Sequence, residues 1–200
     1  MLNEKHRWDE IIEEALNNSL RLSIPSIRIE DAYVIYLVAY LTALKFRRLI
    51  AVDAGAGVGF STIWMAKALY ESGVEGKIYA IEREVLRFRR LKDLVNKYCL
   101  NNLVVPINGD ALEYIGEIKE ELNLVFIDID KEHYFDFFSK VKDRVIHGGV
   151  ILAHNVKHHH GTVDAFLNEA SKKNWKTIIV PTEEGISIST KTNNIHQIDL

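Results

Sequence analysis

A group of charged side chains stands where an apolar segment ends. Residues 122–129 predict a buried strand, and this strand runs into Asp128, Asp130 and Lys131. Two carboxylates and an amine at one strand end can hold a cation or move a proton. The spacing therefore predicts a chemical site at the end of this strand.

A turn rich in glycine marks a second candidate site, after the predicted strand 49–53. Glycine lets the backbone turn tightly and lets a ligand approach the main chain. The spacing is G-x-G-x-G and not the dinucleotide fingerprint G-x-G-x-x-G, whose third glycine would fall on Phe60 or Thr62. Asp53 precedes the turn, and Ser61 or Thr62 can cap the helix that follows. The three glycines are Gly55, Gly57 and Gly59.

Acidic residues also follow the next two predicted strands. Glu82 comes directly after residues 77–81, where a carboxylate can accept hydrogen bonds from both hydroxyls of a ribose. Asp110 and Ala111 follow residues 104–107. Asp110 can cap a helix, lie against a ligand, or do both.

The elements that position these residues alternate along the chain. The predicted strands are 49–53, 77–81, 104–107, 122–129, 149–153, 176–180 and 186–189, and the predicted helices are 4–18, 30–46, 61–71, 84–98, 111–120, 132–145 and 162–173. Alternation predicts an α/β fold with a Rossmann-like, doubly wound, seven-stranded sheet. The last two strands are too close for a helical crossover, so the sheet is mostly parallel with the last strand antiparallel. We expect one domain over 1–200, with an N-terminal helical extension over 1–46 and a core over 47–200.

Several segments resemble one family of enzymes. The glycine turn with its preceding acid resembles motif I of class I S-adenosylmethionine-dependent methyltransferases. The stretch Phe126-Ile127-Asp128-Ile129-Asp130-Lys131 resembles the F-I-D-x-D-K segment of the cation-dependent O-methyltransferases, the catechol and caffeoyl-CoA O-methyltransferase family. Residues 148–156 and 180–189 resemble two further segments of that family, so the resemblance runs from about residue 28 to 190.

This resemblance implies a role for each candidate residue. S-adenosylmethionine would be bound by Asp53, Gly55, Gly57, Gly59, Ser61, Glu82, Asp110, Ala111, Asp128 and Asp130. Asp53 would face the amino and sulfonium end of the cofactor. Lys131 would act as general base or electrostatic aid for the attacking hydroxyl, and Asp128 and Asn155 would bind a divalent metal. The implied reaction is O-methylation of a small hydroxylated or phenolic acceptor.

His154 departs from the family pattern, which has an aspartate at this position. Two acids and an amide suit magnesium, whereas an imidazole adds a nitrogen donor and removes a charge. Either the set Asp128, His154 and Asn155 binds magnesium, manganese or another metal, or no metal binds and His154 serves as base or hydrogen-bond donor. The run 158–160, three histidines, is more typical of a polar loop at the substrate pocket than of a metal site.

Composition limits the partners that we expect. The chain has 200 residues and a net charge of −3, which predicts no general attraction to nucleic acid or to an anionic membrane. The apolar run 32–41 is too short to span a bilayer. Cys99 is interpreted as a core residue in a reducing, cytoplasmic environment.

The helix predicted over 30–46 is apolar almost all round. We expect it to lie under the first helix or to form the contact of a homodimer.

Two other functions stay open at this stage. A basic helix with Arg83, Arg87, Arg89, Arg90 and Lys92 could serve an RNA or protein methyltransferase, although a solvated helix face is the simpler interpretation. The missing N/D-P-P-Y/F-type tetrapeptide after strand four argues against base methylation. The change at His154 is the one feature that favours a non-catalytic S-adenosylmethionine-binding protein.

Overall fold

The computed structural model describes residues 4–157, 161–172 and 174–192. The strands are β1 (Arg48–Ala54), β2 (Glu75–Glu82), β3 (Val104–Asn108), β4 (Leu122–Ile127), β5 (Val145–His154), β6 (Trp175–Val180) and β7 (Ile186–Lys191). The helices are α1 (Glu4–Arg21), α2 (Ile29–Phe46), α3 (Phe60–Ser72), α4 (Val85–Lys97), α5 (Ala111–Tyr114), α6 (Tyr134–Val141) and α7 (Thr162–Glu169). A 3₁₀ turn, Lys131–His133, precedes α6.

The seven strands form one sheet in the order β3-β2-β1-β4-β5-β7-β6. All neighbouring strands from β3 to β5 pair in parallel, and β7 pairs antiparallel with both β5 and β6. The predicted α/β sheet with an antiparallel last strand is confirmed. Strand β4 is buried at every position, as expected for a central parallel strand covered on both faces.

Helices cover both faces of the sheet. Helices α2, α3 and α4 bury one face, with α1 packed on α3 and α4. The other face is buried by α5, α6 and α7, whose aromatic side chains Phe138 and Phe166 pack edge to face. The two layers fix the sheet so that the ends of its parallel strands lie along one edge.

The register brings the predicted chemical residues to that edge. Ala54 at the end of β1 lies opposite Ile81 of β2 on one side and Ile127 of β4 on the other. Ile127 in turn lies opposite Ala153 of β5. The residues that follow these positions therefore meet in the crevice beside β1, where the order of the strands reverses.

Three of the predicted helices end at least four residues earlier than the sequence indicates, and one of them, predicted over 162–173, ends at Glu169. The helix predicted over 111–120 ends at Tyr114 and continues as turns through Glu117. The helix predicted over 132–145 ends at Val141, because Val145 already pairs with Leu122 as the first residue of β5. A run of apolar residues does not distinguish a helix end from a buried strand start.

Helix α2 does not lie under the first helix, which was one of the two arrangements predicted for it. It buries one face against α3 and the sheet, and α1 packs on α3 and α4 instead of covering it. Its other face exposes large apolar side chains, namely Tyr33, Leu37, Leu41 and Leu44. The homodimer predicted from this helix stays a prediction.

Cys99 is exposed, so its interpretation as a core residue was wrong. It occupies the turn after α4 with a φ of +56°. This turn directs Tyr98 and Leu100 into the core and leaves the residue between them outside. None of the helices in the described part of the chain is both long and apolar enough to cross a membrane.

Candidate active site

A cavity of about 980 Å³ opens at the carboxyl edge of the sheet. The ends of β1 to β5 form its floor, and the segment before α2, with Ile24, Pro25 and Ser26, forms part of its wall. The cavity brings together the predicted residues Gly55, Gly57, Glu82, Asp110, Ala111, Asp128, Asp130, Lys131, His154 and Asn155. Ser61 lines a small recess beside it, together with Gly55 and Gly57.

The glycine turn lets two strand ends approach each other. Gly55 has a φ of +89°, and a Cβ atom there would lie 2.2 Å from the carbonyl oxygen of Asp128. Only glycine allows both this conformation and this approach. Gly59 has a different role, since a Cβ atom there would meet Leu91 of α4 at 2.8 Å. Gly59 is the N-cap residue that precedes α3, and it packs against α4 and does not line the cavity.

Asp53 lies buried beneath this turn. Its Oδ2 accepts hydrogen bonds from Ser61 Oγ at 2.8 Å and from Thr62 Oγ1 at 2.5 Å. Both hydroxyls therefore bond to Asp53 and neither caps α3, which corrects the predicted cap. Burial raises the pKa of Asp53 to about 7, against the two hydroxyl hydrogen bonds. The carboxyl group holds the loop from below and does not reach the cavity.

The carboxylate of Glu82 is held at the cavity wall by main-chain groups. The N–H of Gly57 donates to Oε2 at 2.8 Å, and the N–H of Glu84 donates to Oε1 at 2.7 Å. Each oxygen keeps a further lone pair that can accept a ligand hydroxyl. Asp110 does cap α5, since its Oδ1 accepts from the N–H of Leu112 at 2.7 Å.

Lys131 is held by two partners inside the cavity. Its Nζ lies 3.1 Å from Asp128 Oδ1 and 2.6 Å from Tyr134 Oη. Tyr134 is fully buried, and its hydroxyl also lies 3.0 Å from the carbonyl oxygen of His154. Burial raises the pKa of Tyr134 well above its ordinary value, so its hydroxyl stays protonated. The lysine side chain is thus fixed at one point of the wall.

His154 lies between two carboxylates. Its Nε2 is 3.2 Å from Asp31 Oδ2, and its Nδ1 is 3.4 Å from Asp128 Oδ1. Burial acts to lower the pKa of His154, but the neighbouring carboxylates of Asp128 and Asp31 outweigh it and raise the pKa to about 9. Burial likewise acts against ionisation of Asp31, yet the hydrogen bond and charge of His154 lower its pKa.

The predicted metal ligands Asp128, His154 and Asn155 come together at the cavity wall. Asp128 Oδ1 faces both Lys131 and His154. Asn155, with a φ of +53°, donates from its Nδ2 to Glu184 Oε2 at 2.9 Å. His154 Nδ1 is buried without a hydrogen-bond partner, and the bond to Glu184 uses only the amide nitrogen of Asn155, so the donor types of this set fit a divalent metal. His158, His159 and His160 lie outside the described residues.

Candidate residues that the sequence did not reveal lie at the cavity wall or in contact with its lining residues. In the sequence, Asp31 resembles an ordinary acidic residue in the first turn of an apolar helix, and Glu184 lies in a predicted turn. Tyr134, three residues after Lys131, carried the only usable signal, a polar aromatic at helical spacing from a lysine. Asp130, predicted near the cofactor, is half exposed and pairs with Arg83 at 2.8 Å. Asp130 also forms an exposed cluster with Glu132 and His133.

Comparison with known proteins gives a consistent result. A family model described as a methyltransferase domain matches residues 52–156. A probable cobalt-precorrin-6B C(15)-methyltransferase (decarboxylating) of Sulfolobus acidocaldarius is 29% identical over 126 residues, which cover 63% of this chain and 58% of the relative. A catechol O-methyltransferase of Niastella koreensis is 24% identical over 152 residues, covering 74% and 66%. The chain thus spans less than two thirds of the length of these two relatives.

Solved structures share the fold. The O-methyltransferase TomG from Streptomyces achromogenes, in complex with S-adenosylmethionine, superposes with a TM-score of 0.77 at 19% identity, covering 92% of this chain and 90% of that one. The O-methyltransferase from Bacillus cereus, in complex with S-adenosylhomocysteine, gives 0.76 at 20% identity, covering 92% and 91%. At these identities the similarity establishes the architecture.

Proposed function

This chain belongs to the methyltransferase-domain family, and from that premise we propose that it transfers the methyl group of S-adenosylmethionine to an oxygen of a small hydroxylated or phenolic acceptor. The observation that supports this most is the position of Lys131. Its amine is held by Asp128 and Tyr134 on the wall of the same cavity as Glu82 and the glycine turn. A group that can take a proton therefore faces the space where a cofactor and an acceptor would meet.

The cavity suits a cationic nucleoside. Its wall carries the carboxylates of Glu82, Asp110, Asp128 and Asp130, and opposite charge favours a sulfonium ligand. Glu82, fixed by main-chain donors, would accept the ribose hydroxyls, and Asp110 with Ala111 would lie against the adenine. Gly55 and Gly57 leave the main chain open to close approach. The relatives solved with S-adenosylmethionine or S-adenosylhomocysteine support the same cofactor here.

The reaction would be an in-line displacement at the methyl carbon. The acceptor hydroxyl passes its proton to Lys131 Nζ, and its oxygen attacks the methyl group. The new carbon–oxygen bond forms as the carbon–sulfur bond breaks, and the electron pair of that bond returns to sulfur, which becomes a neutral thioether. Asp128 and Tyr134 fix Nζ, so the base is oriented before the acceptor binds.

The size of the cavity favours a small acceptor. One cavity of about 980 Å³ must hold both the cofactor and the acceptor, which leaves little room for a macrocycle of the precorrin kind. The rim carries both signs of charge, including Arg28, Arg83 and Glu184, so no continuous basic surface favours a nucleic acid. The acceptor is therefore proposed to be a single-ring phenol or a molecule of similar size.

Two substitutions of Lys131 test the assignment. The assay measures transfer of labelled methyl from S-adenosylmethionine to a panel of phenols and catechols. Lys131→Ala should lower kcat by about 100-fold or more while cofactor affinity is kept. Lys131→Arg supplies a guanidinium that stays charged and cannot accept a proton near neutral pH, so it should be as slow as the alanine variant. Wild-type rates in the arginine variant would refute the base and leave only an electrostatic role.

A further inference from the structure

The outward face of α2 carries a row of large apolar side chains. Tyr33, Leu37, Leu41 and Leu44 are between 44% and 57% exposed, and they follow one another at spacings of four, four and three residues. Such spacing places side chains on one stripe of a helix. The opposite face of α2 is buried against α3 and the sheet, and none of the elements in the described part of the chain covers the stripe.

The end of the sheet adds a further apolar side chain on the same side. Ile178 of β6 is 64% exposed and lies opposite Ile188 of β7. Ile188 and Val180 pack against the core that α2 covers, and side chains two residues apart on a strand share a face. Ile178 therefore lies on the α2 side of the sheet. The apolar patch is defined here as Tyr33, Leu37, Leu41, Leu44 and Ile178.

We propose that a second copy of this chain covers the apolar patch, with the two α2 helices packed antiparallel about a twofold axis near Leu37. Each side chain of the patch is about half exposed and presents about 100 Å², so each copy offers about 500 Å² of apolar surface. Apolar patches of this size mark interaction sites. Two facing patches would remove about 1,000 Å² from water, which reaches the size of a specific interface.

The charges at the two ends of the stripe favour the antiparallel arrangement. Glu30 is exposed at its start, and Lys45 and Arg47 are exposed at its end. With Glu30 and the four apolar residues of α2, the spacings are three, four, four and three, so the stripe is symmetric about Leu37. A turn of 180° about Leu37 therefore places Glu30 of one copy beside Lys45 of the other. Opposite charges then meet at both ends, whereas a parallel pair would bring like charges together.

Neighbouring charges do not reverse the sign of either end. Arg28 pairs with Glu183, so these two side chains balance each other at the start of α2. Arg48 lies opposite Glu75 in the register of β1 and β2, which balances the charge of that arginine. Glu30 therefore sets the sign of the first end, and the two basic residues set the sign of the other.

Sedimentation velocity over protein concentrations up to about 100 μM tests the association. The wild-type protein should sediment at twice the chain mass of 22.9 kDa. Leu37→Glu places two carboxylates at the twofold axis and should give the mass of one chain. Leu86→Glu is the matched control, because Leu86 is 61% exposed but lies on α4, outside the apolar patch, so this variant should stay dimeric. Circular dichroism verifies that both variants are folded.

Charge reversal tests the direction of the two helices. Lys45 already donates to the carbonyl oxygen of Gly148, so Arg47 is the basic residue that is changed. Glu30→Lys and Arg47→Glu should each weaken the association by about tenfold, and the double variant should associate more tightly than either single variant. A monomeric wild type, or a dimer that persists in Leu37→Glu, would overturn the inference. A double variant that associates no more tightly than the single variants would overturn the antiparallel arrangement. These results do not depend on which acceptor the protein methylates.

Discussion

Replacing Asp53 by asparagine should change how the stability of the cofactor-free protein depends on pH. Asp53 is fully buried, and its carboxyl group accepts hydrogen bonds from Ser61 and Thr62. Burial raises its pKa from the ordinary 3.8 to about 7, and the charges of Asp128 and Glu82 act in the same direction. The hydroxyl hydrogen bonds act against this shift without cancelling it.

The sign and size of the effect follow from proton linkage. The folded protein keeps this proton up to about pH 7, whereas the unfolded chain releases it near pH 4. The unfolded state binds fewer protons in that window, so the free energy of unfolding falls by about 1.4 kcal/mol per pH unit as pH rises. Across the window the loss reaches about 4 kcal/mol. Asparagine does not titrate, so the free energy of unfolding of the Asp53→Asn variant does not fall in this way.

Urea unfolding followed by circular dichroism measures the difference directly. The stability of Asp53→Asn relative to the wild type should grow by about 3 kcal/mol between about pH 5 and about pH 8. Ser61→Ala removes a hydroxyl that lowers this pKa, so its own fall in stability should extend to higher pH. If the free energy of unfolding depends on pH in the same way in the wild type and in Asp53→Asn, the pKa of Asp53 is not raised by burial and the argument is refuted.

Three further predictions concern the cavity. Gly55→Ala should destabilise the protein by about 2 kcal/mol or more, because its Cβ would meet the carbonyl carbon and oxygen of Asp128. Gly57→Ala has open space around its Cβ and should cost about 1 kcal/mol in the same urea titration. Equal losses of stability in the two variants would contradict the close approach at Gly55. Glu82→Gln should weaken S-adenosylmethionine binding by about tenfold in calorimetry, and unchanged affinity would remove Glu82 from the ribose site. Tyr134→Phe should lower kcat more than it changes KM, since Lys131 loses its hydroxyl partner; a change in KM alone would argue against the orienting role.

The ends of the parallel strands were predictable from the sequence. In an α/β chain, a short apolar run followed by glycine or an acid indicates a buried strand that ends at the ligand-binding edge of the sheet. Glu82, Asp110 and Asp128 fall in the cavity for this reason. The local role of each side chain was less predictable. Asp53 and Gly59 carry the expected motif, yet one is buried below the turn and the other packs on α4.

Partners far apart in the chain could not be predicted. Asp31 and His154 are separated by 123 residues, and nothing in the pattern around Asp31 distinguishes it from a helix-start acid. Only the packing of α2 against the sheet brings its first turn to the end of β5. The sequence therefore identified His154 as unusual, and the fold shows that Asp31 is its buried hydrogen-bond partner.

A single-turnover experiment tests the central claim most directly. The protein is mixed with methyl-labelled S-adenosylmethionine and a panel of phenols and catechols, and the position of the label is determined by mass spectrometry and NMR. The account predicts an O-methyl product whose formation is lost in Lys131→Ala, although the variant still binds the cofactor. A label on carbon or nitrogen, or transfer that is unchanged in Lys131→Ala, would contradict it.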